Sequence, residues 1–489
     1  MPIKSNGVFY FARAQYNIKV MDILKELKAE VFAKQKILAD IYNQHGSFSL
    51  FDYAGSWQVA KSSEEINLLA KEAEALLLPI YGIKIALGVS KQLMVRPLVS
   101  TIDHHGILNH PYFINSNLIF SQKKDLNYLI CLTTSGISLN NSSWPGCLLL
   151  TAKAGNLKRF SFFPDKIKTH SVFKTQSLNQ TQVENVLGKI SRDRELKSQE
   201  KEKLQNLIFN LFSKKEIYEL ETFSAQASLL SARFWQELFP AAPKLIYLPV
   251  EELAAKIIIK IIAPNPDHIL HKLLFTRPGL DLIEKYFAGS LGAFFVSHKG
   301  SFLFWGMDAK GGRLRLGREK YLETTSSPEA LAKALQVEQL YPTSLVCFLV
   351  LLYYQLTCLG GFNQVNWLTV VKQGFVKLLQ EMGQLDLAKK ITAVPTQNFA
   401  ESNLAFLEKN GKIIKASGTD IYLSGKDLYS KYQNLAKSLT LGEGLASLLP
   451  EIYRVITPAS LRKSKLLKLT DEDIILSRGT GGEIRQALI

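Results

Sequence analysis

Between two stretches of helical periodicity this chain carries a segment of different texture, and that contrast restricts it to folds that pack helices against sheets. Over residues 18–43 apolar side chains recur at helical spacing (Val20, Ile23, Leu24, Leu27, Val31, Ile37, Leu38, Ile41) among charged ones, which predicts a long amphipathic helix. A second helix is expected from Glu64 to about Leu78, with Ser62 and Glu65 as a capping box and Pro79 closing it. Over residues 83–173 short apolar runs such as Leu129-Ile130-Cys131-Leu132 and Cys147-Leu148-Leu149-Leu150 alternate with turn clusters such as Asn140-Asn141-Ser142-Ser143, which reads as strands. Residues 179–239 return to helical patterning, and the mixed-sign run 191–203 marks a solvated face.

Beyond Pro240, residues 293–298, 301–307 and 313–316 read as a three-stranded meander, 345–359 as a buried helix, and 403–409 with 412–416 as a hairpin turning at Asn410-Gly411. The expected fold class is therefore α+β and multidomain, with antiparallel or mixed sheets and flanking amphipathic helices. At 489 residues, about three units are expected. The changes of texture place an N-terminal α/β domain over 1–185, a helical junction over 186–240, a central α+β domain over 241–400 and an α+β extension over 401–489.

A hydrophobic fraction of 47% with 21% charged residues is globular composition and excludes extended disorder. Lys and Arg number 59 against 43 Asp and Glu, a net charge of +16, which favours polyanionic partners, although a lysine-rich solvated surface is the stronger reading of it. Cys131, Cys147, Cys347 and Cys358 form no CxxC pair and read as reduced core residues of a cytoplasmic protein. The N-terminus lacks the apolar run of a signal peptide, and 345–359 is shorter than the roughly 20 residues a bilayer needs, so no integral membrane association is expected.

Chemistry concentrates at Thr101-Ile102-Asp103-His104-His105-Gly106-Ile107-Leu108-Asn109-His110-Pro111, which holds three of the eight histidines. Imidazole and carboxylate groups bind divalent metals and move protons near neutral pH. If 94–102 ends in a strand, Asp103 and His105 project to one face and His104 to the other, and His110 folds back across a turn at Gly106. Asp103, His104, His105 and His110 are the expected acid–base residues. Asp103, His105 and His110 are the set that spacing allows for Zn²⁺, Mn²⁺ or Fe²⁺. A metal-free acid–base loop and a purely structural polar turn fit the same residues. Asn109, Asn115 and Asn117 add amides suited to orienting a polar substrate.

The tripeptide Asp103-His104-His105 after an apolar strand resembles one signature of the DHH phosphoesterases. That family also uses an upstream Asp-Gly-Asp-type motif for its metal pair. Residues 1–80 contain only isolated carboxylates such as Asp22, Asp40 and Asp52, so the chain is not assigned to it and phosphoester hydrolysis stands as one option.

Arg313 and Arg315 alternate with Leu314 and Leu316, so the guanidinium groups are expected to project together as anion binders while the leucines face the core. His268 and His271 read as ordinary helix residues, Gly360-Gly361 as a helix cap, and 474–483 as a strand and glycine-rich tail without a Walker lysine. No Gly-x-Ser-x-Gly elbow and no complete P-loop is present. The leading expectation is an enzyme that hydrolyses, or transfers a group from, a small polar anionic substrate at the histidine loop. Its alternatives are a nucleic-acid binder using the basic, aromatic surface, with the basic run 460–468, and an interaction scaffold built on the long N-terminal helix.

Overall fold

The computed structural model describes residues 6–152, 156–288, 300–308, 311–325, 327–409, 411–425 and 427–477, with side chains over 18–475. Among the described residues there are eleven strands, β1 Leu98–Ser100, β2 Tyr128–Thr133, β3 Cys147–Thr151, β4 Leu157–Ser161, β5 Lys244–Pro249 and β6 Phe304–Met307, then β7 Arg313–Leu314, β8 Leu340–Pro342, β9 Thr357–Leu359, β10 Phe406–Lys409 and β11 Lys412–Lys415. Four of them form a parallel sheet in the order β5-β2-β1-β9. The others pair antiparallel as β3-β4, β7-β6-β8 and β10-β11. Helices flank both kinds of sheet, so the α+β class holds, with a parallel sheet beside antiparallel ones.

The parallel strands are apolar at nearly every position because both sheet faces are covered. Alternate residues feed two cores. Leu98, Leu129, Cys131, Leu245, Tyr247 and Leu359 enter one, while Val99, Ile130, Leu132, Ile246, Leu248 and Cys358 enter the other. The first core includes the helices Pro111–Phe120 and Phe223–Leu238, and the second the helices Ile66–Tyr81, Ile83–Val95 and Ser344–Tyr353. After β1 the chain builds β2 and then β5 to one side, whereas β9 later pairs with the opposite edge of β1. The order of the sheet therefore reverses between β1 and β9, the kind of crevice in which open parallel sheets bind ligands. This sheet draws strands from either side of residues 185 and 240.

Several elements differ from the sequence reading. The N-terminal periodic stretch is two helices, Asn6–Lys34 and Lys36–His45, broken at Gln35, whose φ of −122° and ψ of 68° leave the helical region. Within 83–173, Ile83–Val95 and Pro111–Phe120 are helices, since apolar runs without strict alternation suit a buried helix as well as a strand. Ser62 does not cap the next helix. Its hydroxyl bonds Met94 O, and Pro79 lies inside the last turn of Ile66–Tyr81. The buried run 345–359 divides into the helix Ser344–Tyr353 and the strand β9, separated by Gln355 in the left-handed region at φ 56°.

In the meander, β6 and β7 pair as expected, and the third strand is β8; residues 293–298 lie outside the described residues. The β10-β11 hairpin turns through Gly411 at φ +76°. Residues 474–477 belong to the helix Asp471–Ser477 and not to a strand, and 478–489 lie outside the described residues. The basic run 460–468 holds only short turns of helix, Ala459–Leu461 and Ser464–Leu467. Among the described residues no helix is long and apolar enough to cross a membrane.

Candidate functional site

The carboxyl ends of the four parallel strands bring polar side chains to one edge of the sheet. Strand β1 runs into the histidine loop, and its line continues past Thr101, whose N–H donates to Leu359 O (3.0 Å), to a bridge between His104 and Thr134. Gly106 then turns the loop against Pro145. A Cβ there would lie 2.5 Å from Pro145 Cα, so only glycine permits the approach, and Ile107 N donates to Pro145 O at 3.0 Å.

Asp103 and His105 point inward, as the alternation predicts, and both are fully buried. The Asp103 carboxylate accepts hydrogen bonds from Asn117 Nδ2 (2.7 Å), Ser116 Oγ (3.2 Å) and the Tyr247 hydroxyl. Burial nevertheless outweighs these donors and raises its pKa to about 6. The His105 ring lies 6.1 Å from that of Tyr247. Its Nε2 meets Ser224 O at 2.8 Å and its Nδ1 meets Thr133 Oγ1 at 2.6 Å. A carbonyl only accepts, so Nε2 carries the proton and Nδ1 accepts from the threonine hydroxyl. Burial lowers the His105 pKa to about 4, which keeps the ring neutral.

His104 and His110 lie on the other side of the loop, each half-buried. Both rings pack on Phe113, with centroids 5.6 and 5.5 Å away. His104 Nδ1 lies 3.0 Å from Ser143 Oγ, whose hydroxyl reaches Asn141 Oδ1 at 3.2 Å. The next residue, Trp144, holds φ 49°, a strained conformation for a bulky side chain, in the turn that carries Ser143 to the imidazole. His110 caps the helix Pro111–Phe120, its Nδ1 accepting from Tyr112 N at 3.4 Å. Among the described residues its Nε2 has no hydrogen-bond partner. Burial lowers the His104 pKa to about 4, and burial with the nearby charges of His104 and Lys415 lowers that of His110 to about 3.

Three carboxyl groups near the loop carry no sign in the local sequence pattern beyond position. Glu401, buried behind Gly361, accepts from Phe362 N at 2.8 Å, and burial, then the charges of Glu451 and Asp103, raises its pKa to about 7. Glu251, just beyond β5, accepts from Ser135 N, Ser135 Oγ and Gly136 N at 2.9, 2.9 and 3.0 Å, so it ties the carboxyl ends of β2 and β5 together. Burial raises its pKa. Glu252 accepts from Ser224 Oγ at 2.7 Å, and burial raises it to about 7. The available signal was positional. Glu251 and Glu252 follow an apolar strand, and Tyr247 is the one phenol within that strand. Nothing in the sequence connects Ser224 or Glu401 to the loop.

The sequence-predicted residues are thus divided. Asp103 with His105 forms an inward cluster and His104 with His110 an outward pair. Among the described residues no three His, Cys, Asp or Glu side chains are grouped to hold a metal ion. The proposed ligand set of Asp103, His105 and His110 is therefore corrected: both His105 nitrogens are already bonded inside the protein. The amide oxygens of the three asparagines are also occupied, although Asn109 Nδ2 has no hydrogen-bond partner among the described residues. Asn109 Oδ1 accepts from Thr419 N and Oγ1, Asn115 Oδ1 from Leu404 N and Ala405 N, and Asn117 bridges Asp103 to Cys131.

Arg313 and Arg315 are both exposed and engage different partners. Arg313 lies 4.9 Å over the Trp305 ring and Arg315 Nε donates to Gly300 O at 2.6 Å. Leu316 is buried as expected, whereas Leu314 is 48% exposed because β7 is an edge strand. His268 is a helix cap whose Nδ1 accepts from Leu270 N, and His271 is buried against Ile262 O. Gly361 caps the helix Phe362–Glu381, which follows β9 rather than a helix. No protein-family model matches this chain, and comparison with curated proteins and with solved structures likewise found no match.

Proposed function

We propose that this chain is an acid–base enzyme that hydrolyses, or transfers a group from, a small polar anionic substrate at the outward histidine pair. The observation that carries this reading is the pair's position. Two half-buried neutral imidazoles stand at the carboxyl edge of a parallel sheet whose order reverses beside them. The hydrogen bonds give the rings complementary roles. His110 accepts through Nδ1, so the Nε2–H of its neutral ring is a hydrogen-bond donor for an anionic group. His104, with Nδ1–H directed to Ser143 and Asn141, presents an Nε2 lone pair suited to a general base.

Glu401, raised by burial to about 7, is the carboxyl assigned to proton return, and the Lys415 ammonium, 5.7 Å from the Tyr112 ring centroid and ion-paired with Asp471 at 3.2 Å, is the cation assigned to an anionic group. Asp103 and His105 act as positioning residues that fix the loop from beneath. Nucleic-acid binding is less well supported, since the tryptophan faces suited to base stacking are already covered by Arg159 over Trp144 (3.7 Å) and Arg313 over Trp305.

The test is turnover of p-nitrophenyl phosphate and p-nitrophenyl acetate, with histidine NMR in parallel. Turnover that falls at least about a hundredfold in His104→Ala and in His110→Ala, with folding intact, supports the proposal. Turnover of neither ester, with His104 and His110 resonances unmoved by added phosphate or acetate, overturns it.

A further inference from the structure

The opposite edge of the central sheet carries a second feature that the histidine chemistry does not use. Arg96 ends the helix Ile83–Val95 just before β1, and Lys123, Lys124 and Asp125 form the turn that leads into β2. These residues, with Phe51 and Trp57, line a cavity of about 530 Å³, within the size range of small-molecule sites.

The charges in this cavity are not balanced. Three cations face two carboxylates, Asp52 and Asp125. Asp52 is committed to its own helix, accepting from Ser49 Oγ at 2.7 Å. Asp125 is turned outward, its side chain 81% exposed and 3.9 Å from Arg96 Nη2, too far for a hydrogen bond. It also holds φ 61°, a left-handed conformation that fixes the turn.

The cations are anchored through neutral carbonyls instead. Lys123 Nζ donates to Gly55 O (2.9 Å) and Trp57 O (3.0 Å), and Arg96 Nη1 donates to Lys124 O (2.9 Å) and Asp125 O (3.0 Å). Each keeps an N–H without a protein acceptor among the described residues: the third on Lys123, and those on Arg96 Nη2. Lys124 is held 5.4 Å over the Phe51 ring with no hydrogen bond among the described residues. Burial and the charge of Arg96 lower the Lys123 pKa, as expected for neighbouring cations without a compensating anion. Carbonyl anchoring positions the side chains without neutralising them, and the aromatic wall offers a face to a ring attached to the anion.

We propose that this cavity binds a small phosphate monoester, its phosphoryl oxygens bridging Arg96, Lys123 and Lys124. The full chain is titrated calorimetrically with phenyl phosphate and with inorganic phosphate. Phenyl phosphate is expected to bind more tightly than phosphate. Combining Lys124→Gln with Arg96→Gln should weaken it about tenfold or more, and Asp125→Asn should strengthen it. Lys124→Gln alone disturbs no hydrogen bond of the described residues, so a weakening there reports on binding and not on folding. His110→Ala should leave the affinity unchanged, which separates this site from the histidine loop. No binding of either probe, affinity indifferent to both Lys124→Gln and Asp125→Asn, or loss of binding in His110→Ala would overturn the proposal.

Discussion

Replacing Asp103 by alanine and by asparagine should give opposite results, for reasons fixed by its three donors. In Asp103→Ala, Asn117 Nδ2 and the Tyr247 hydroxyl lose their acceptor in a site closed to water. Each orphaned buried donor costs about 1–3 kcal/mol, so a loss of about 2–5 kcal/mol is expected. In Asp103→Asn the amide oxygen can face Asn117 and Tyr247 while the amide nitrogen donates to Ser116 Oγ, a hydroxyl that accepts as well as it donates. At pH 4.5, where wild-type Asp103 is largely protonated, the asparagine variant should lie within about 1 kcal/mol of wild type.

The two then separate with pH. The folded chain holds a proton that the unfolded chain releases, because burial raises the pKa from 3.8 to about 6. Its contribution is fully present below about pH 4 and is lost as pH rises through 6, a change on the order of 3 kcal/mol. Asparagine does not titrate, so its stability relative to wild type should grow by about 2 kcal/mol between pH 4.5 and 7.5, the part of that change falling in this window. Urea unfolding of the three proteins at the two pH values measures this directly. Parallel pH profiles for wild type and Asp103→Asn, or an alanine variant as stable as wild type, would refute the buried, three-donor description.

Three further outcomes are expected. Thr133→Val removes the hydroxyl that donates to His105 Nδ1 and should cost about 1–3 kcal/mol in urea unfolding, with Thr133→Ser restoring most of it. His105 should stay neutral in histidine NMR from pH 7.5 down to about 5, and because its folded pKa lies below its unfolded value, its contribution to stability should be lost as pH falls from about 6.5 through 4. Gly106→Ala should destabilise by about 1–3 kcal/mol, since its Cβ meets the backbone of Pro145, and it should shift the His104 resonances by displacing the turn that carries Ser143.

What the sequence determined by itself lies mostly in local pattern. The continuous apolar runs at 129–132 and 147–150 are strands because β-sheet burial needs such runs, and the β10-β11 hairpin turns at Gly411 because glycine takes its left-handed conformation without strain. Alternation also placed Asp103 and His105 on one face and His104 on the other, although which face is buried came from the fold. The pairing of distant strands was decided by tertiary structure. Nothing local indicates that 98–100 lies between 128–133 and 357–359, yet that order sets the reversal of the sheet beside the histidine loop. It also selects each histidine's role: Thr133 and Ser224, 28 and 119 residues away, occupy His105, while His110 keeps an outward nitrogen. A metal set that spacing permits fails for this reason. Residue spacing bounds how far apart two side chains can be, whereas ligation depends on which lone pairs the rest of the fold has already taken.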